Sequence, residues 1–151
     1  MNGKISLRRA TEKDVNSVLE IERSLGDIKT YSVFTNEDEI GEEIKNHLFY
    51  IIEMKEEIVG HICYEIKGQN QAYIDGIVVM PKFQGQGIAR QALKLILDMM
   101  GDISEIVVMT HPDNNNKAIN LYTSFGFKKD GEQMENYYSD GEPRIKMILE
   151  K

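Results

Sequence analysis

At 151 residues, with 41% hydrophobic and 28% charged side chains, the chain is long enough to bury a core and too apolar to be disordered. Its 18 basic against 25 acidic residues leave a net charge of −7, which argues against nucleic acid as the main partner and mildly favours a cationic one. No apolar run approaches the ~20 residues that span a bilayer, the N-terminus has no signal-peptide core, and the lone Cys63 excludes an internal disulfide. A single cytoplasmic domain over residues 1–151 is expected, away from membranes and without a metal.

The elements follow in chain order. "KISLRRAT" alternates as a strand and ends at Thr11, which opens the capping-box-like "TEKD". Val15, Val18, Leu19 and Leu25 then form a helical stripe. A second helix is predicted over "TNEDEIGEEIKNHL", with Thr35 or Asn36 as its cap, an acidic first turn, and Ile40, Ile44 and Leu48 on one face. Three strands come next, "LFYIIEM", "IVGHICYEI" and "AYIDGIVVM", joined by the short turns "KEE" and "KGQNQ" as an antiparallel meander. Cys63 falls in the second of these and reads as a buried structural thiol, not a nucleophile. Ala89, Ala92, Leu93, Ile96 and Met100 mark a third helix, "EIVVMTH" another strand, and "NNKAINLYTSFG" a short helix ended by Gly126. "FKKDGEQMENYY" and "RIKMILE" read as a closing hairpin. The order β-α-α-β-β-β-α-β-α-β-β is an α/β (α+β) domain with a mixed, mostly antiparallel sheet flanked by helices.

The stretch "PKFQGQGIARQAL" places Gly85 and Gly87 at the mouth of the third helix. Unpaired N–H groups and a partial positive charge make a helix start attractive to phosphate, and glycine admits the anion close to the backbone. A P-loop would need Lys-Ser/Thr where Ile88 and Ala89 stand. A dinucleotide fingerprint would need a third glycine where Arg90 stands, and it normally follows an early βαβ strand. The diphosphate of coenzyme A needs the same cradle.

"QGQGIA", Gln84 to Ala89, resembles the Gln/Arg-x-x-Gly-x-Gly/Ala signature of the GNAT superfamily of N-acetyltransferases, and "IVVMPKFQGQGIARQAL" has the family's order of strand, proline, aromatic and helix. "NNKAINLYTSFGFKKDG" resembles the family's Asn-x-x-Ala-Ile-x-Leu-Tyr…Gly-Phe block, with Asn115, Ala118, Ile119, Leu121, Tyr122, Gly126 and Phe127 in register. The resemblance implies acetyl-CoA as cosubstrate. Main-chain groups of Ile77, Val78 and Val79 would pair with the pantetheine arm, and N–H groups across Gln84, Gly85, Gln86, Gly87, Ile88, Ala89 and Arg90 would hold the diphosphate. An N–H near Val79 would stabilise the developing oxyanion. Asn115 would hydrogen-bond the cofactor, Tyr122 would protonate the departing thiolate, and Lys82, Arg90 and Lys117 would assist with phosphates.

The implied reaction is direct transfer to a neutral amine, which needs a base. Ribosomal-protein alanine acetyltransferases, as the resemblance has it, carry a glutamate where Thr110 stands here. Tyr73 acting through water, then Asp75, then His111 are the candidates in its place; His47 and His61 read as ordinary helix-end and strand residues. Without a strong base an α-amine is the easier acceptor, costing about 1.4 kcal/mol to neutralise near pH 7 against about 4.6 for lysine. "ENYYSDGEPRIKMIL" resembles the Tyr-Tyr-x-x-Gly-Glu tail of N-terminal protein acetyltransferases, so Tyr137 and Tyr138 are assigned to the substrate, with Tyr31 and Phe34 on the opposite wall. A protein N-terminus is the expected acceptor. The alternatives are a small amine (polyamine, amino acid or antibiotic) met by an acidic pocket near Asp75 and Glu65, and a non-catalytic acetyl-CoA sensor. Monomer and homodimer are both compatible with the sequence.

Overall fold

Local sequence sets the helix starts. The Thr11 hydroxyl accepts from the Lys13 N–H at 3.3 Å while the Asp14 carboxylate accepts from the Thr11 N–H at 2.8 Å, a reciprocal capping box ahead of α1 (Val15–Ser24). At α2 (Glu37–Asn46) the cap is Asn36, whose side chain accepts from the Glu39 N–H at 3.0 Å; Thr35, the other candidate, lies outside the described residues. The computed structural model describes residues 3–25, 36–111, 116–135, 137 and 143–151. Its remaining elements are β1 (Ile5–Arg9), β2 (Leu48–Met54), β3 (Glu57–Lys67), β4 (Gln71–Val79), α3 (Ile88–Met100), β5 (Glu105–Thr110), α4 (Asn116–Ser124), β6 (Lys128–Lys129) and β7 (Ile145–Glu150). Element types and order agree with the sequence reading. Among the described residues no helix is long and apolar enough to cross a membrane.

The strands form a seven-stranded sheet in the order β1-β2-β3-β4-β5-β7-β6. The chain divides into two compact units, Met1–Gly26 with Val33–Glu65 and Asp75–Gly101, and Asp27–Ser32 with Ile66–Ile74 and Asp102–Lys151. In the first, β1 runs antiparallel to β2 and β2 antiparallel to β3, with a bulge where the register shifts between Ile52 and Glu53. Ala10, Val18, Leu19, Ile40, Ile44, Phe49, Ile51 and Cys63 pack together as a core beneath α1 and α2. The Gln91 side chain of α3 accepts from the Ile5 N–H at 3.1 Å and donates to the Gly3 carbonyl at 3.0 Å. In the second unit the start of β4 runs parallel to β5, from Gln71↔Glu105 to Ile74↔Val108, and β7 runs antiparallel to both β5 and β6.

Two local readings need correction. Leu48 is not on the α2 face: His47 leaves the helix in an extended conformation and Leu48 pairs with Tyr64 as the first residue of β2. The closing hairpin is much shorter on its first arm. Left-handed Gly131 (φ +84°) interrupts the extended run after Lys129, and pairing resumes only at the Met134↔Arg144 bridge. The β2–β3 turn falls at "KEE" as expected, with Lys55 and Glu56 taking positive φ values of 52° and 66° with no glycine or asparagine present.

Candidate functional site

β4 leads through Met80 and the single turn Pro81–Phe83 into Gln84–Gly87 and α3. Gly85 (φ +83°) and Gly87 (φ +78°) both lie in the left-handed region, where a side chain would be strained. Space around the missing Cβ of Gly85 is open to at least 4 Å. Gly87 is the N-cap of α3 and brings no side-chain oxygen to the first N–H groups. A glycine cradle at an uncapped helix start fits an anion as large as a diphosphate. The Gln84 side chain donates to the Val79 carbonyl at 2.9 Å and so ties the loop back to β4. Gln86 and Ala89 are half-buried, Ile88 is buried and Arg90 is exposed. Lys82 sits over the Phe83 ring, 5.1 Å from its centroid.

Val78 and Val79 are buried and Ile77 is half-buried. The ladder between β4 and β5 ends at Ile74, so all three residues lie beyond it. On the β3 side, the Val78 carbonyl comes so close to Gly60 that a Cβ there would stand 2.0 Å from it. Gly60 thus fixes how near β4 approaches β3.

A second group of side chains gathers at the end of α2. One ring nitrogen of His47, Nδ1, meets the Glu43 carboxylate and lies 3.1 Å from Asp75 Oδ2; the other, Nε2, lies 3.4 Å from Glu65 Oε2. Three acidic residues from α2, β3 and β4 therefore surround one imidazole, which can pass a proton between carboxylates at its two nitrogens. Burial raises the Glu43 carboxyl above its ordinary value, with His47 lowering it and Glu65 raising it. Burial, followed by the charges of Asp75, Glu43, Glu65 and Glu22, pushes the Cys63 thiol well up. An adjoining cleft of about 450 Å³ is lined by Asp38, Glu39, Glu42, Glu43, Asn46 and His47.

Of the other sequence-predicted residues, Tyr73 is half-buried with the Lys67 ammonium 5.6 Å from its ring centroid. Tyr122 is buried on α4 and meets Phe127 edge-on at 5.4 Å. Thr110 and His111 are buried at the end of β5, Lys117 is exposed, and Tyr137 is exposed. Tyr31, Phe34, Asn115 and Tyr138 lie outside the described residues. Sequence reasoning passed over His47 and Glu43, and the "EEIKNH" pattern, with Glu43 and His47 four apart, was the available signal. It also missed that His61 is buried and paired with Glu22 at 2.8 Å.

The model of the acetyltransferase (GNAT) family matches residues 16–127. The chain belongs to the GNAT acetyltransferase family. Over 77 residues this GNAT protein is 31% identical to spermidine N(1)-acetyltransferase of Escherichia coli (strain K12), covering 48% of this chain and 41% of the relative, less than half of that protein's length. Over 152 residues it is 26% identical to an N-alpha-acetyltransferase of Sulfurisphaera tokodaii, covering 90% of this chain and 87% of the relative. Its fold is similar to that of the ribosomal-protein-S18-alanine N-acetyltransferase from Escherichia coli, at 21% identity and a TM-score of 0.79 over 97% of this chain and 94% of the other.

Proposed function

We propose that this GNAT protein moves an acetyl group from acetyl-CoA directly to a primary amine, and that one domain carries the whole reaction in the cytoplasm. The observation that carries the reading is the pair of left-handed glycines at the uncapped start of α3. Main-chain N–H groups from Gln84 to Arg90 hold the diphosphate, Ile77–Val79 lie along the pantetheine arm, and Asn115 adds a hydrogen bond. The Val79 N–H steadies negative charge on the reacting carbonyl oxygen. Tyr122 gives its phenolic proton to the departing sulfur. Asp75 takes the proton from the acceptor ammonium and shares it with His47, its neighbour at 3.1 Å. Tyr73, two residues before Asp75, holds an intervening water.

The preferred acceptor is the α-amine of a protein N-terminus, supported by the N-alpha-acetyltransferase likeness over 90% of the chain and by Tyr137, whose exposure suits a peptide contact. Tyr31 and Tyr138 are assigned to the same groove. One observation favours a second reading: the acidic surround of His47 matches a polycationic amine, as does the spermidine-enzyme likeness.

The test is a free-thiol release assay with acetyl-CoA against N-terminal peptides, polyamines and amino acids, comparing wild type, Tyr122→Phe and Asp75→Asn. Each variant is expected to lower kcat by about a hundredfold or more with little change in the KM for acetyl-CoA. Turnover of peptides alone selects the first acceptor, and turnover of polyamines alone the second. Unchanged turnover removes the substituted residue from the mechanism, and no thiol release with any amine rejects catalysis.

A further inference from the structure

We propose that Glu43, His47 and Cys63, with Asp75 beside the same imidazole, form a binding site for a borderline-soft divalent cation of the zinc class. One ligand atom each from Glu43, His47 and Cys63 lies within 4.8 Å of the other two, and the same holds for His47, Glu65 and Asp75. Three carboxylates around one imidazole leave negative charge in excess even when the ring is protonated. Two further observations point to a ligand. Glu43 Oε2 and His47 Nδ1 are buried neighbours, and neither atom has a hydrogen bond of good geometry. The Cys63 thiol, at 3% exposure and free of any disulfide, projects into the same cluster from β3.

The donor set selects the ion. Calcium and magnesium require six or more oxygens, many from water or main-chain carbonyls. Imidazole, thiolate and carboxylate at short range are the ligands of a tetrahedral zinc-class centre. Binding forms metal–sulfur, metal–nitrogen and metal–oxygen bonds, and the Cys63 thiol proton departs to solvent with no change of oxidation state. If Asp75 and His47 move the acceptor proton as proposed above, an occupied site withholds them, and the ion acts as an inhibitor; the binding itself does not depend on that reading.

The test uses the full chain, stripped with a chelator and titrated with zinc against a chromophoric chelator, and separately with cobalt(II) while near-ultraviolet absorption is followed. Wild type is expected to take up one zinc per chain with micromolar or tighter affinity, and His47→Gln and Cys63→Ser each to lose about tenfold or more. Cobalt is expected to give a thiolate charge-transfer band that Cys63→Ser lacks, with far-ultraviolet dichroism verifying that both variants are folded. No stoichiometric uptake, or wild-type affinity in either variant, overturns the proposal. Neither readout involves acetyl transfer, so failure here and failure of the acetyltransferase reading are told apart.

Discussion

Asp14 shows how much one side chain can do at a helix start. Its carboxylate accepts the Thr11 N–H and both terminal nitrogens of Arg8, each at 3.0 Å, while its own exposure is only 7%. The hydrogen bond from Arg8 holds the carboxyl below its ordinary 3.8 against the opposing effect of burial. A lowered folded-state pKa means the unfolded chain takes up the proton first, so the contribution is complete above about 3.8 and fades as pH falls through the folded value. Asp14→Ala is expected to lower stability by about 1–2 kcal/mol at neutral pH and to flatten the acid limb of the stability curve, as read from urea midpoints across that range. This residue was legible from "TEKD", because a capping box is written within four positions. His47 was not, since its partners Glu65 and Asp75 stand 18 and 28 positions away and only the sheet brings them together.

At the scale of elements, β3 and β4 depend on a glycine whose purpose alternation hides. In "IVGHICYEI", Gly60 reads as a weak spot in a strand; the Val78 carbonyl explains it. Gly60→Ala is expected to push β4 aside, lower stability by about 3 kcal/mol in urea denaturation, and raise the KM for acetyl-CoA through displacement of Val78 and Val79. Gly41→Ala, where an added Cβ meets nothing within 4 Å and φ is not left-handed, serves as the contrast in that experiment. The type of every element was readable from its period, two for strands and 3.6 for helices. Ends were harder. Leu48 fits the α2 stripe in spacing, but the ladder to Tyr64 decides its place. The first arm of the closing hairpin has alternating residues, yet Gly131 turns the chain away before they can pair.

For the molecule as a whole, the glycine loop proposed to hold the acyl donor was the readable part, because Gln84–Arg90 is one short contiguous run of sequence. The cluster around His47 is assembled from α2, β3 and β4, and no window of sequence contains it. The acidic pocket expected near Asp75 and Glu65 does gather both residues, around His47, and Glu43 joins them. One contact ties the far ends of the first unit together. Gln91, four residues beyond Gly87, grips the chain at Gly3 and Ile5 with its amide as if it were one more peptide unit of β1. If the start of α3 holds the diphosphate as proposed, this mooring couples Gly3 and Ile5 to it: Gln91→Ala, or a tag fused directly ahead of Gly3, is expected to weaken coenzyme A severalfold in calorimetric titration, whereas a tag after Lys151 leaves it intact.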